Sequence, residues 1–300
     1  MSAIESLRTA VGTLRRHPVL VLGGACYGLV VMPQRALQLA GVPIAPALLQ
    51  MLTFFVTPFV LAGVVGMART ALVGETSVDE LVAVGKDRYV DLLLATLLAF
   101  GIKLAFGIVL VVLAVGLLAT GGSGTGALVG AALVVVVVLV YLAVLMLIQF
   151  YPVIVVVDDA GPVDAVTDSV DFVRSNPVGT LGFTAVTVLL GAVAALPVTG
   201  VAAYSFVTSG AESGGSPGPI GGGMSPGGPG AGAGATNGTA ALGDALASGG
   251  LGLSTPEVLA LSLVSVAAAA LLVAFRLTYA TAFYRSNARS IEERVLDEEW

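Results

Sequence analysis

The chain is 300 residues long, 57% hydrophobic and only 11% charged, with a mean hydropathy of +1.00. Soluble domains carry about 25% charged residues, so there is too little charge here to coat a water-facing surface, and disorder is excluded over most of the length. Acidic residues outnumber Lys plus Arg by 19 to 13, and no basic stripe exists to displace counterions from nucleic acid.

Lipid is the solvent that tolerates such a chain. A spanning helix needs about 20 mostly apolar residues, and runs of that kind fall near 18–40, 47–71, 92–119, 127–156, 178–207 and 256–281. In the first, Pro33, Gln34 and Arg35 interrupt the outer end. In the fourth, Val134 to Val138 stand in a row. The runs do not alternate as barrel strands would. The expectation is therefore an all-α integral membrane protein with six transmembrane helices, forming one membrane domain over 1–300.

Arginine and lysine set the expected orientation. Arg8, Arg15 and Arg16 precede the first run, Arg69, Lys86 and Arg88 lie between the second and third, and Arg174 lies between the fourth and fifth. Arg276, Arg285, Arg289 and Arg294 flank or follow the sixth, and the other side has Arg35. That asymmetry places both termini in the cytoplasm of a cell membrane, with 282–300 as a cytoplasmic tail. An Arg15-Arg16 lipoprotein signal is disfavoured, because Gly23 stands where a lipobox needs Leu and the apolar run continues past Cys26. Cys26 is the single cysteine, so no disulfide staples the fold.

Residues 209–254 are dominated by Gly, Ser, Pro, Ala and Thr, the composition of a disordered loop, here expected outside the cell. Asn237-Gly238-Thr239 within it is a glycosylation acceptor by pattern, or an unused tripeptide. Gly121 to Gly126 reads as a short outer turn.

The chain also repeats itself. With Pro18 placed over Pro177, Ile4, Leu7, Val11 and Leu14 fall over Val163, Val166, Val170 and Val173, and Arg15 falls over Arg174. The shared spacing marks one face of a helix. Val78, Leu81, Val82 and Tyr89 form a looser third copy, with Thr76/Asp79 or Ser77/Glu80 as its capping pair. Three units follow, each an amphipathic cytoplasmic helix resting at the interface and then a transmembrane hairpin.

Tyr151-Pro152, Asp158, Gly161-Pro162, Ala165, Ser169, Arg174 and Asn176-Pro177 resemble the cytoplasmic segment of a broad group of prokaryotic membrane proteins. That group includes the membrane domain attached to some bacterial glycerophosphodiester phosphodiesterases. Gly74-Glu75-Thr76-Ser77 and Gly85-Lys86-Asp87-Arg88-Tyr89 resemble uncharacterised haloarchaeal members more closely. The resemblance implies a membrane domain without the hydrolase, since spans and loops consume the whole chain. The acidic, lysine-poor composition agrees with a halophilic archaeon as source.

Lys103 is the leading candidate for chemistry. It lies twelve residues beyond Asp91, about 18 Å into the third span at 1.5 Å per residue. A charge at that depth usually faces a bundle interior or an aqueous cavity. It reads either as an anion, headgroup or proton-coupled site, or as a lysine satisfied by carbonyls, Gln149 or Tyr141, or snorkelling. Asp158-Asp159 reads as a turn, or as a cation site short of ligands. His17, the one histidine, has no ligand-spaced neighbours, and no Ser–His–Asp set can be assembled. Gly24-x-x-x-Gly28 and Gly126-x-x-x-Gly130 permit close helix packing. Nothing requires a cofactor.

The chain is thus expected to be non-enzymatic, organising lipid or a membrane partner complex, or itself, through its amphipathic helices. The alternative is a transporter for a small or anionic solute with Lys103, Arg35 and Gln149 along its path, and with helix breaks at Pro58 and Pro197. Orientation is open to direct measurement. In a Cys26→Ala background, cysteines placed at Thr76 and Ser290 resist a membrane-impermeant maleimide until cells are permeabilised, whereas one at Thr239 reacts at once.

Overall fold

A computed structural model describes residues 2–39, 44–119, 124–212 and 255–298. Among the described residues the chain forms ten helices and no strand. In order these are α1 (Ala3–Arg16), α2 (Val19–Leu39), α3 (Ala45–Ala71), α4 (Val78–Asp87), α5 (Tyr89–Ala119), α6 (Gly124–Leu147), α7 (Tyr151–Val157), α8 (Pro162–Ser175), α9 (Pro177–Glu212) and α10 (Thr255–Glu298). Six stretches are long and apolar enough to cross a membrane, carried by α2, α3, α5, α6 with α7, α9 and α10. The chain is an all-α, six-span protein.

Three short helices lie at the elbow end of the bundle, each leading into a span through one bent residue. His17 (φ −122°, ψ 74°) ends α1 and Asn176 (φ −131°, ψ 55°) ends α8. Each precedes a proline, whose ring drives the preceding residue out of the helical region. Arg88 (φ −99°, ψ 7°) makes the corresponding bend between α4 and α5 without a proline. Ser2 and Glu5 close a reciprocal capping box on α1. The pairing expected to cap α4 does not form. Ser77 holds the cap position without a side-chain bond, and the Thr76 hydroxyl accepts from Thr70 instead.

The burial of α1 and α8 follows the repeat at most positions. Ser6, Ala10 and Thr13 of α1 are buried where Ala165, Ser169 and Phe172 of α8 are, and Ile4 and Val163 are 60% and 62% exposed at matching positions. Small residues let α1 dock closely on α9 and α10. The Tyr279 hydroxyl donates to the Ala3 carbonyl at 3.0 Å, and Ser6 meets Ser286 at 3.3 Å.

The fourth span departs from the expected single helix. It breaks between α6 and α7 because Pro152 cannot donate to the carbonyl four residues back and its ring crowds that carbonyl. Pro58, by contrast, lies inside an unbroken α3, and α9 runs unbroken through position 197. The sixth span does not give way to a separate tail. α10 continues to Glu298, since residues 282–298 contain neither glycine nor proline. The loop expected over 209–254 lies outside the described residues apart from 209–212, which end α9. Of the expected turn at 121–126, residues 124–126 belong to α6.

Glycine governs the closest contacts. A Cβ added at Gly24 would fall 2.0 Å from the Ala270 carbonyl oxygen, and one at Gly28 would fall 2.8 Å from Val266. The first and last spans therefore touch nearly backbone to backbone. Gly63 and Gly66 receive Leu81 and Val84 of α4 in the same way. α5 packs on α3, α6 and α8, and α6 chiefly on α5; the two present Val112, Val115, Val135 and Leu139 outward, as lipid-facing helices do. Gly24→Ala is expected to cost about 1–3 kcal/mol of overpacking, seen as a lower melting midpoint in detergent. Gly101→Ala, with nothing within 4 Å of the added methyl, leaves the midpoint unchanged or slightly raised.

Candidate functional site

The three polar residues expected along a path are held separately. Arg35 donates to the Ser265 hydroxyl at 2.7 Å, joining α2 to α10. The Gln149 amide lies in the break of span four and donates to the Thr184 hydroxyl of α9 at 3.1 Å. Lys103 is half-buried on α5, and its charge acts on Arg276 of α10. Tyr141, expected near Lys103, packs its ring on Phe106 at 5.5 Å. Asn237 lies outside the described residues.

Arg276 is where the sequence reading goes astray. Counted there as a charge flanking the sixth span, it lies inside α10, only 9% exposed, and its Nη1 has no hydrogen-bond partner. The missed signal is the run Leu277 to Tyr284 that follows it, with only two threonines as polar interruptions. An arginine with that much apolar helix on its elbow side cannot snorkel out that way. The guanidinium acts on the hydroxyls of Tyr27 on α2, where Arg35 acts more strongly, and of Tyr151 on α7. Both tyrosines are buried, and Tyr151 pairs with the buried Thr96 hydroxyl at 3.3 Å.

The broken fourth span is closed by a side chain from the next helix. Ser169 of α8 donates to the Leu147 carbonyl at 2.8 Å and accepts from the Phe150 N–H at 3.1 Å. A single hydroxyl so satisfies a backbone acceptor and a backbone donor that the break sets free. Phe150 itself sits in an aromatic cluster with Phe172, Phe183 and Phe283, its ring centroid 5.0–5.7 Å from theirs. Tyr151-Pro152 and Ser169, two parts of the motif read in the sequence, are thus one structural device.

Beyond α7 the chain turns through Asp158 and Asp159, the first of the two readings of that pair. Asp159 takes a left-handed backbone (φ 57°) and pairs with Arg88 at 2.5 Å, and the Tyr284 hydroxyl donates to Asp158. Arg69 donates to the Val156 carbonyl at 3.0 Å and Arg285 to the Arg69 carbonyl at 3.2 Å, so each guanidinium serves a helix C-terminus. The carboxylates are engaged in this junction, and no group of three metal-ligating side chains occurs among the described residues. On α8, Asp164, Asp168 and Asp171 form an exposed acidic stripe. Asp168 is held above the ordinary carboxylate range, first by desolvation and then by Asp164, Asp158 and Asp171.

An open groove of about 380 Å³ lies between α3 and the α4–α5 elbow, lined by Phe55, Val56, Phe59, Lys86 and Tyr89. The Tyr89 hydroxyl donates to the Phe55 carbonyl at 3.1 Å, fixing one wall. Lys86 is the one charged residue of the lining.

Six spans, three elbowed helices at one end and a serine-bridged break define a multi-pass helical membrane protein. The chain belongs to the family described as a domain of unknown function, DUF7847, whose sequence model matches residues 1–287. Neither a curated protein nor a solved structure matches it. Ser169→Ala leaves both the Phe150 N–H and the Leu147 carbonyl without that partner, at about 1–3 kcal/mol for each buried group. Ser169→Thr, which keeps the hydroxyl, is expected to recover part of that loss in a detergent melting experiment.

Proposed function

We propose that this protein is a non-enzymatic component of the cell membrane that organises lipid at the cytoplasmic headgroup level through its elbowed helices. The carrying observation is how α1 and α8 are divided around their circumference. A buried stripe docks each helix on the bundle, small residues on α1 and Ala165, Val166, Ser169, Phe172 and Val173 on α8, and a neighbouring apolar stripe is left open at Ile4 and Val163. At 100° per residue, Arg8 and Arg15 border that open stripe on α1 and Arg174 borders it on α8. Such a helix rests with its apolar edge among acyl chains and its guanidinium groups among phosphates.

The third elbowed helix supports the same reading. α4 leaves Val78 and Val82 45% and 40% exposed. The groove beside it has aromatic and aliphatic walls with Lys86 as its cation, a combination suited to an acyl chain below an anionic headgroup. The acidic stripe of α8 faces away from its buried side and belongs in water.

Orientation follows from charge. With Arg276 withdrawn into the bundle, ten of the thirteen Lys and Arg residues remain at the elbow end and Arg35 at the other. That asymmetry favours cytoplasmic elbows and cytoplasmic termini. The same acidic, lysine-poor composition supports a salt-adapted archaeal source.

Spin-labelled anionic lipid in reconstituted bilayers tests the reading. The quadruple variant Ile4→Glu, Val82→Glu, Lys86→Glu and Val163→Glu is expected to keep its melting behaviour in detergent while the motionally restricted lipid fraction falls by about half, as acidic side chains on all three elbowed helices repel the anionic headgroups. An unchanged restricted fraction overturns lipid organisation. Loss of a cross-linked membrane partner with lipid unaffected moves the role of the helices to protein assembly.

A further inference from the structure

Two cations, Lys103 and Arg276, lie well inside the spans, and Arg35 stands near the outer end of the first. The acidic residues on the spanning helices are confined to their ends: Asp91 opens α5, Glu212 closes α9, Glu257 opens α10, and the others on α10 lie beyond residue 291. Arg35 has Ser265 as its partner. Arg276 has a buried Nη1 with none. A guanidinium does not give up its proton under ordinary conditions, so burial cannot be relieved by neutralising it. An isolated charge in hydrocarbon is costly and normally sits with a counter-charge, which no carboxylate of the spans supplies.

The surroundings of Arg276 are hydroxyl-rich. Tyr27, Tyr151 and Thr96 are each at least nine-tenths buried. Gly24 and Gly28 bring α2 against Ala270 and Val266, which sets Tyr27 of α2 a short way along the seam from Arg276. Helical side chains lean toward the N-terminus of their own helix. α2 and α10 run in opposite directions, so the tyrosine and the arginine lean toward each other. If the Thr96 hydroxyl donates to Tyr151, the Tyr151 O–H is left free to donate elsewhere. The planar fork of an arginine matches the paired oxygens of a phosphate or carboxylate better than it matches a spherical ion.

We infer that Arg276, with the hydroxyls of Tyr27 and Tyr151, forms an intramembrane site for an oxyanion of the phosphate class, supplied as a lipid phosphodiester or as soluble phosphate. The site is closed in the arrangement described, and an anion reaches it by local parting of helices. The α5 side is the weakest flank, because α5 packs on α3, α6 and α8 far more than on α10. Lys103 on that flank adds a second positive charge acting on the same place. This inference does not rest on the role of the elbowed helices, since none of their residues takes part.

Thermal melting of the delipidated full chain in detergent, at constant ionic strength set by potassium chloride, tests the site. Inorganic phosphate and a short-chain phosphatidylglycerol are titrated separately. The expected result is a saturable rise in the melting midpoint with at least one of them, absent in Arg276→Met. If the rise comes with inorganic phosphate, the source is a free oxyanion. If it comes only with the lipid, and native mass spectrometry shows lipid retained by the parent chain and lost from Arg276→Met, the source is the phosphodiester. Should Arg276→Met fail to fold, Arg276→Lys and the double variant Tyr27→Phe, Tyr151→Phe replace it. Each is expected to need roughly tenfold more ligand for half the shift. No shift in the parent chain with either ligand, or an equal shift in the parent and all folded variants, overturns the site.

Discussion

In hydrocarbon a helix can break only where something other than water takes up the backbone groups that the break releases. The fourth span breaks just ahead of Tyr151-Pro152, and the hydroxyl of Ser169 accepts from one freed amide and donates to one freed carbonyl. Much of the elbow end is built around that repair. It anchors α8 against α6 and α7, sets Phe150 into the aromatic cluster, and turns α7 so that its last carbonyls meet Arg69. The Asp158–Asp159 turn then brings α7 to Tyr284 and Arg88. A hydrogen-bonding requirement thus fixes how the second and third units meet.

Glycine does the corresponding work for the first unit. The approach of α2 to α10 at Gly24 and Gly28 and the seating of α4 on Gly63 and Gly66 are contacts without room for a methyl group. Lipid tails offer a helix as much apolar contact as another helix does, so association in a bilayer depends on fit rather than on escape from water. Gly101, Gly107 and Gly116 on lipid-facing α5 have open space around them, and no comparable fit is asked of them. The same residue type is structurally decisive on one helix and incidental on another.

The sequence carries the six spans plainly, because apolar runs of that length and so few charges leave one class of solvent. It also carries the register of the elbowed helices, through Pro18 and Pro177 and the apolar positions before them. The break in the fourth span is hidden by its own hydropathy: Val, Ile and Leu surround Tyr151-Pro152 as they would in a continuous helix. Arg276 is misplaced because a single charge near the edge of an apolar run reads as a boundary. Only the apolar stretch beyond it, and the long α10 that carries it, put it inside. Which glycines matter depends on what lies opposite, and one strand of sequence does not contain that.

The partnership of α2 with α10 also constrains how the protein is made. α2 is synthesised before α10, so the glycine notch of α2 must wait while the intervening spans are made. α1, which docks on α9 and α10, is in the same position. The nascent chain therefore holds α1 and α2 in a provisional state, and closure of the bundle follows the synthesis of α10 rather than the sequential addition of hairpins.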